Sequence, residues 1–163
     1  EETDYGKNFW VDIETAIENE STPYDSIQAI PKVLRALRDG EIIGIFPEAT
    51  ISTSFEIKGM KSGAVRLAIG SQVPVIPVVI WGSQRIWTKG VPKDFRRKSV
   101  PVHIHYGEPI YFAKDADVEK SETLLRNKMI EMLNKLQEQY PDSHVGERWA
   151  PQRLGGTAPA PIK

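Results

Sequence analysis

The chain has 163 residues, 26% of them charged and 40% hydrophobic, and its formal net charge is −1 at pH 7. This composition predicts one globular domain with a core of its own, and it argues against a strongly basic nucleic-acid-binding protein. The absence of cysteine excludes disulfides, thiolate metal sites and a cysteine nucleophile. No apolar run approaches the roughly 20 residues that cross a bilayer, so any membrane contact is expected to be peripheral.

The first predicted element is a helix from Asp25 to Arg38, where apolar residues recur at helical spacing and Gly40 follows as a C-cap. Pro31 is expected to kink this helix or to confine its regular part to the residues after it. The preceding segment, 1–23, is acidic and weakly patterned. Its expected apolar anchors are Phe9, Trp10, Val11 and Ile13.

Two strands flanking a loop and a helix are predicted between 42 and 80. Ile42 to Phe46 is short and rich in isoleucine, which indicates a strand buried on both faces. Val75 to Ile80 is the second strand. The helix between them, over 61–69, is closed by Gly70 and buries Ala64, Leu67 and Ala68.

The order of these elements is typical of a crossover in a parallel sheet. Pro47 ends the first strand, because it has no N–H to donate, and the carboxylate of Glu48 follows at once. Ligand sites in open α/β sheets lie beyond the carboxyl ends of the strands. The polar loop after Glu48 is therefore the candidate site.

The connection over 81–98 combines tryptophans with cations. One interpretation is a solvated loop over the sheet that binds no partner. Another is a membrane contact, in which the cations meet anionic head groups and the Trp rings lie at the interface. Nucleic-acid binding is the least favoured interpretation, because the chain as a whole is slightly acidic. The residues concerned are Trp81, Arg85, Trp87, Lys89, Lys93, Phe95, Arg96, Arg97 and Lys98.

The last third of the chain predicts a strand, a long helix and a tail. Val100 to Tyr106 alternates as a strand does, and a helix capped by Asp117 or Ser121 runs through Gln139. Its apolar side consists of Leu124, Leu125, Ile130, Leu133 and Leu136. The remainder, rich in Pro and Gly, is expected to be an extended tail, frayed at its end and anchored by Trp149 and Leu154.

Two apparent motifs are rejected. Lys61-Ser62 resembles the end of a P-loop, but Met60 and Glu56 stand where that loop needs glycines. His103 and His105 share one face of a predicted strand and could chelate a metal. Because no third ligand is evident, two partly exposed strand histidines are the favoured interpretation, and no metal is expected.

Two sequence blocks carry a resemblance to the 1-acyl-glycerol-3-phosphate (lysophosphatidic acid) acyltransferases. The first consists of Phe46, Pro47, Glu48, Ala49 and Thr50, which match that family's Phe-Pro-Glu-Gly-Thr apart from the alanine. The second, 73–78, matches its Val-Pro-Val-Ile-Pro-Val in full. Lys61 and the Gly63-Ala64 pair fit the family's Lys-x-Gly-Ala helix start, and the flanking sequence looks most like actinobacterial members.

The resemblance implies a mechanism and a set of site residues. In the family, the histidine of a His-x-x-x-x-Asp motif takes a proton from the acceptor hydroxyl, which attacks the thioester of acyl-CoA or acyl carrier protein. Carried over to this chain, Glu48 and Thr50 hold the acceptor, and Pro74 and Pro77 line the pocket. No cofactor is implied beyond the acyl donor, which is a substrate.

Three departures from the family pattern shape the expectation. None of His103, His105 and His144 is followed five residues later by Asp, so the catalytic pair is expected to lie in a missing N-terminal segment ahead of Glu1. The family commonly has a phosphate-binding arginine between its His-x-x-x-x-Asp motif and its Phe-Pro-Glu-Gly-Thr block, but the first arginine of this chain is Arg35, inside the predicted helix. The arginine that usually follows the Phe-Pro-Glu-Gly-Thr block is replaced by Ile51. Anion binding is instead expected from Lys58, Lys61 and the start of the helix that Lys61 begins.

The sequence thus predicts an α/β fold like that of the glycerol-3-phosphate acyltransferases, with a largely parallel or mixed sheet flanked by helices and without its N-terminal part. Residues 1–140 form the acceptor-binding part and 141–163 the tail. The expected function is acyl transfer to a lysophosphatidic acid-like acceptor in phospholipid synthesis, by a peripheral protein on the cytoplasmic side of the cell membrane. The 163-residue chain itself is expected to be inactive. A non-catalytic lipid- or phosphate-binding relative is the alternative.

Overall fold

The computed structural model describes residues 23–48, 51–88 and 99–161, with side chains from Ile30 onwards. Three helices and one small sheet make up these ranges: α1 is Pro23–Arg38, α2 is Gly63–Ser71, β1 is Val78–Trp81, β2 is His103–Tyr106 and α3 is Val118–Glu138. Helix α1 packs on α2, and α3 packs on α2 and on the sheet. The predicted anchors in 1–22, together with Ala49, Thr50 and 89–98, lie outside the described residues.

Helix α1 ends as its sequence predicts. Gly40 has a φ of +87°, its N–H donates to Leu37, and the N–H of Glu41 donates to Ala36. These two bonds form a Schellman motif, which satisfies carbonyls at the helix end and requires the left-handed conformation that glycine adopts without strain. Pro31, however, lies inside the continuous helix and does not confine its regular part to the residues that follow.

The predicted buried strand over Ile42–Phe46 is wrong. These residues carry no strand assignment, and the side chain of Ile42 is 92% exposed. The two described strands pair with each other, and neither is hydrogen-bonded to this segment as a sheet neighbour. An apolar run forms a buried strand only where a partner strand and a covering layer exist. In the described part of the chain, Ile42 has neither.

The sheet is an antiparallel pair rather than the predicted parallel crossover. Val78 lies opposite Tyr106, and the ladder runs to the pair of Trp81 and His103. An isolated bridge joins Val75 to Ile110. Two residues separate Val75 from Val78 whereas three separate Tyr106 from Ile110, so the second segment contains one extra residue, as in a β-bulge.

Pro77 lies where this bulge occurs. It has no N–H for the ladder, but its carbonyl accepts a 2.8 Å hydrogen bond from Gly107. A Cβ added to Gly107 would lie 2.8 Å from Pro77 Cγ. The predicted strand over 75–80 therefore pairs at Val75 through an isolated bridge, and its continuous ladder begins only at Val78.

Helix α2 begins and ends slightly later than predicted. It starts at Gly63 rather than at Lys61, and Gln72 closes it with a φ of +60°. Gly70, the predicted cap, lies inside the helix, where an added Cβ would come within 3.3 Å of Leu34 Cδ2. Glycine at this position therefore allows α1 and α2 to pack closely.

Helix α3 is capped by Asp117, one of the two predicted residues. The Asp117 side chain accepts a hydrogen bond from the N–H of Lys120 at 2.8 Å. Leu125, Leu133 and Leu136 are buried as predicted, whereas Leu124 is 52% exposed. The packed face of the helix is therefore narrower than the leucine pattern suggests.

Replacing the cap of α3 tests its contribution to stability. Asp117→Ala should lower the free energy of unfolding by about 1 kcal/mol, because the first turn loses an acceptor for an otherwise unpaired N–H. Urea unfolding measures this. Asp115→Ala is the control, because Asp115 is exposed just before the helix, and it should change stability by less than about 0.5 kcal/mol. Equal effects would contradict the role of the cap.

Residues 141–161 are not an extended tail. A short 3-10 turn at Gln152–Leu154 folds this segment, and the N–H of Ala158 donates to the carbonyl of Ala150 at 3.1 Å. Trp149 anchors it as predicted, packing in one buried cluster with Trp81 and Tyr140, while Leu154 is half-buried. The α/β fold class is confirmed. In the described ranges no helix is both long and apolar enough to span a membrane.

Candidate functional site

The carboxylate of Glu48 is held by the loop that follows it. Glu48 is half-buried, and its Oε2 accepts a 2.8 Å hydrogen bond from the backbone N–H of Lys58. Three residues later, the N–H of Lys61 donates to the carbonyl of Pro47 at 2.7 Å. These two bonds bring Lys58 and Lys61 against the Pro47-Glu48 pair, so the structure unites four of the residues that the sequence singles out.

The loop is folded rather than open. The hydroxyl of Ser52 donates to the carbonyl of Glu56 at 2.7 Å and lies 3.0 Å from the hydroxyl of the buried Ser54. Phe55 has a φ of +58° and packs against the aromatic core. A non-glycine residue held in this conformation indicates that tertiary contacts fix the backbone here.

The two lysines differ in what their ammonium groups do. Lys58 Nζ donates to the carbonyl of Ile51 at 3.2 Å, and this hydrogen bond joins the two ends of the loop. Lys61 is exposed and lies two residues before the start of α2. Both positions are open to solvent at their charged ends, so both are compatible with the predicted contact to an anion.

Two arginines that the sequence did not single out support the loop from behind. Arg126, on α3, donates from Nε to the carbonyl of Lys58 at 2.9 Å. Arg153, in the C-terminal segment, pairs with Glu56 at 3.2 Å and also donates to Gln137. No local pattern could reveal these partners, because the first pair is separated by 68 residues.

The other predicted site residues are less directly connected. The side chain of Phe46 is exposed and Pro74 is half-buried. Pro77 is buried and fixed by the neighbouring strand. Val75 and Ile57 pack around the cluster of Met60, Val65 and Leu125, which places the start of the second block beside the loop. A pocket role for Pro74 and Pro77 stays a prediction.

The histidines belong to a different part of the structure. The rings of His103 and His144 pack on Tyr140, with centroids 5.3 and 5.8 Å away, and His144 also stacks 5.3 Å from Trp149. His103 and His105 do share one face of β2. Across 23–48, 51–88 and 99–161, no group of three metal-ligating side chains comes together.

Burial of His144 makes stability depend on pH. Its pKa lies below the usual value, first because burial disfavours the charged ring and then because Arg153 and Arg85 repel it. The stability contributed by the neutral ring is therefore fully present above the unfolded pKa of about 6.5, and it is lost as the pH falls towards the folded pKa. Between pH 7.5 and pH 5.5, the free energy of unfolding measured with urea should fall less for His144→Gln than for the wild type. An identical fall in both proteins would contradict this role of His144.

Part of the basic and aromatic segment is interior. Trp81 is 2% exposed, and Arg85 pairs with Asp142 and lies 4.5 Å from the centre of the Trp149 ring. These two residues are therefore structural and do not face a membrane surface. Trp87 is exposed, and the remaining cations of the segment fall in 89–98.

Comparison with known proteins identifies the same relatives by sequence and by fold. The Acyltransferase family model matches residues 9–81. A 1-acyl-sn-glycerol-3-phosphate acyltransferase of Limnanthes douglasii is 32% identical over 91 residues, which are 55% of this chain and 31% of the relative. The enzyme of that name from Borreliella burgdorferi is 22% identical over 105 residues, 64% of this chain and 42% of the relative.

A solved structure shares the fold. The 1-acyl-sn-glycerophosphate acyltransferase PlsC of Thermotoga maritima superimposes with a TM-score of 0.57 at 22% identity, covering 72% of this chain and 47% of that one. The chain thus spans less than half the length of these relatives. Over residues 9–81 in sequence, and in fold, the chain is thus similar to the 1-acyl-sn-glycerol-3-phosphate acyltransferases.

Proposed function

We propose that this chain provides the acceptor-binding part of an O-acyltransferase that transfers a fatty acyl group to 1-acylglycerol 3-phosphate. The observation that carries the proposal is the hydrogen bond from Lys58 N–H to Glu48. It fixes one carboxylate oxygen, while the other has no partner among the described residues. A half-buried carboxylate in this state is suited to accept a hydrogen bond from a glycerol hydroxyl.

The reaction itself needs little from Glu48 beyond orientation. The acceptor hydroxyl attacks the thioester carbonyl of acyl-CoA or acyl carrier protein, so that a C–O bond forms and the C–S bond breaks. A base removes the hydroxyl proton and passes it to the departing thiolate of the carrier. Glu48 would position that hydroxyl, and a cation in or beside the loop would bind the phosphate. Holding two reactants in this geometry is itself a large catalytic contribution.

The sequence contains no His-x-x-x-x-Asp motif that would identify a general base. The rings of His103 and His144 pack on Tyr140, and none of the three histidines is followed five residues later by Asp. General-base catalysis typically contributes 10²–10⁴-fold. We therefore predict that the 163-residue chain alone shows no measurable acyl transfer, and measurable turnover by this chain would contradict that prediction.

The test of the proposed function is an assay of the protein expressed with any sequence that its reading frame encodes ahead of Glu1. Acyl-CoA and acyl carrier protein are compared as donors, and 1-acylglycerol 3-phosphate is compared with lysophospholipids that have other head groups. The proposal expects transfer with preference for the phosphate monoester. Lipid binding without turnover would support instead the non-catalytic relative.

The same proposal includes a location. The acceptor is a membrane amphiphile, so we propose peripheral binding at the cytoplasmic side of the cell membrane, with 86–98 as the contacting segment. Sedimentation with vesicles that contain anionic lipid, compared with neutral vesicles, tests this. Equal binding to anionic and neutral vesicles would show that the cations of this segment do not contribute to membrane binding.

A further inference from the structure

A cavity lies behind the Glu48 loop, between that loop, α3 and the C-terminal segment. Its volume is about 330 Å³, at the lower end of the range of small-molecule sites. The lining residues are Glu56, Ile57, Arg126, Ile130, Leu133, Asn134, Arg153 and Pro161. The lining therefore combines aliphatic side chains with two guanidinium groups, a single carboxylate and an amide.

The charges in this cavity are not balanced. Arg153 is compensated, since it pairs with Glu56 at 3.2 Å and donates to Gln137. Arg126 has no carboxylate partner among the described residues, and its hydrogen bond to the Lys58 carbonyl uses only Nε. The two terminal nitrogens of Arg126 therefore offer a planar donor pair, the arrangement that binds a phosphate or carboxylate at two points.

The position of Arg126 connects it to the candidate site. The same residue, Lys58, donates its N–H to Glu48 and accepts from Arg126 with its carbonyl. One loop residue thus lies between the carboxylate and the guanidinium. A ligand with a hydroxyl near Glu48 and an anionic group near Arg126 would span Lys58, with the aliphatic side chains of the cavity available to its chain.

We propose that Arg126 binds the phosphate of an amphiphilic acceptor, and that Ile57, Ile130 and Leu133 contact its apolar part. The inference rests on the proposed function and adds the phosphate-binding residue to it. It makes Arg126, rather than Lys58 or Lys61, the principal anion ligand, since an ammonium offers no planar donor pair, that of Lys58 already donates to the Ile51 carbonyl, and Lys61 lies on the exposed side.

Isothermal titration of the 163-residue chain with three ligands tests this proposal. The ligands are a short-chain 1-acylglycerol 3-phosphate, the same 1-acylglycerol without phosphate, and inorganic phosphate. Arg126→Gln should weaken binding of the phosphorylated ligand by about ten- to a hundred-fold, the usual value of a charge-assisted hydrogen bond. It should leave the phosphate-free ligand unchanged, and Arg126→Lys should fall between.

The matched control is Arg66→Gln, because Arg66 is exposed on α2 and bonds only to Ser62 among the described residues. It should bind like the wild type. Equal weakening of both acylglycerols by Arg126→Gln would show that Arg126 merely supports the loop, and unchanged affinity would show no role; either overturns the inference. Tight binding of inorganic phosphate alone would indicate a free-anion site instead. A wild-type chain that binds no acylglycerol would count against the proposed function itself.

Discussion

Replacing Glu48 by glutamine should reduce kcat/KM for acyl transfer by about ten- to a hundred-fold, because a neutral amide is a weaker acceptor for the substrate hydroxyl than a carboxylate. The amide oxygen can still accept the hydrogen bond from Lys58 N–H, so the loop should keep its fold. The measurement is steady-state kinetics of the protein with its upstream sequence, with 1-acylglycerol 3-phosphate as the varied substrate.

Two further variants separate charge from structure at this position. Glu48→Ala also removes the partner of Lys58 N–H, and it should cost about 1 kcal/mol of stability in addition to the loss of activity. Glu108→Gln, at an exposed position after β2, is the control and should retain full activity. Wild-type kinetics in Glu48→Gln would remove Glu48 from the acceptor site.

Gly82→Ala should be strongly destabilising. Gly82 follows β1 with a φ of +103°, and an added Cβ would lie 2.0 Å from the carbonyl oxygen of Pro101. The backbone strain and the overlap together should lower the free energy of unfolding by about 3 kcal/mol. Urea denaturation monitored by tryptophan fluorescence follows the loss directly, since Trp81 is the adjacent residue.

Gly146→Ala is the matched comparison. Gly146 also has a positive φ, of +76°, but an added Cβ meets nothing within 4 Å. Only the backbone strain remains, and the expected loss is about 1 kcal/mol. A loss in Gly82→Ala no larger than that in Gly146→Ala would mean that the chain relaxes between β1 and β2 at little cost.

Local chemistry explains which features of the fold could be predicted from the sequence. Gly40 and Asp117 act on backbone groups within five residues, so their capping roles are readable without tertiary structure. The strand expected at Ile42–Phe46 failed because strand formation depends on a neighbour that an apolar run does not specify. Leu124 was misplaced for the related reason that the width of a buried helix face depends on what packs against it.

In the candidate site, too, some residues could be predicted from the sequence and others could not. The Phe-Pro-Glu block located Glu48, and the loop length brought Lys58 and Lys61 back to it. Arg126 and Arg153 come from distant segments, and their sequence surroundings are those of ordinary surface arginines. Arg85 was expected to face outward with its neighbouring cations, but Asp142 and Trp149 provide it with an interior partner and an aromatic face.

The most direct test of an acceptor site at Glu48 is the amide resonance of Lys58 in a ¹⁵N-labelled 163-residue chain. Its hydrogen bond to Glu48 makes that proton a reporter of the carboxylate. Addition of a short-chain 1-acylglycerol 3-phosphate should shift the Lys58 resonance and those of the surrounding loop, and saturate with concentration. Saturable shifts confined to other parts of the chain, with Lys58 unmoved, would contradict an acceptor site at Glu48.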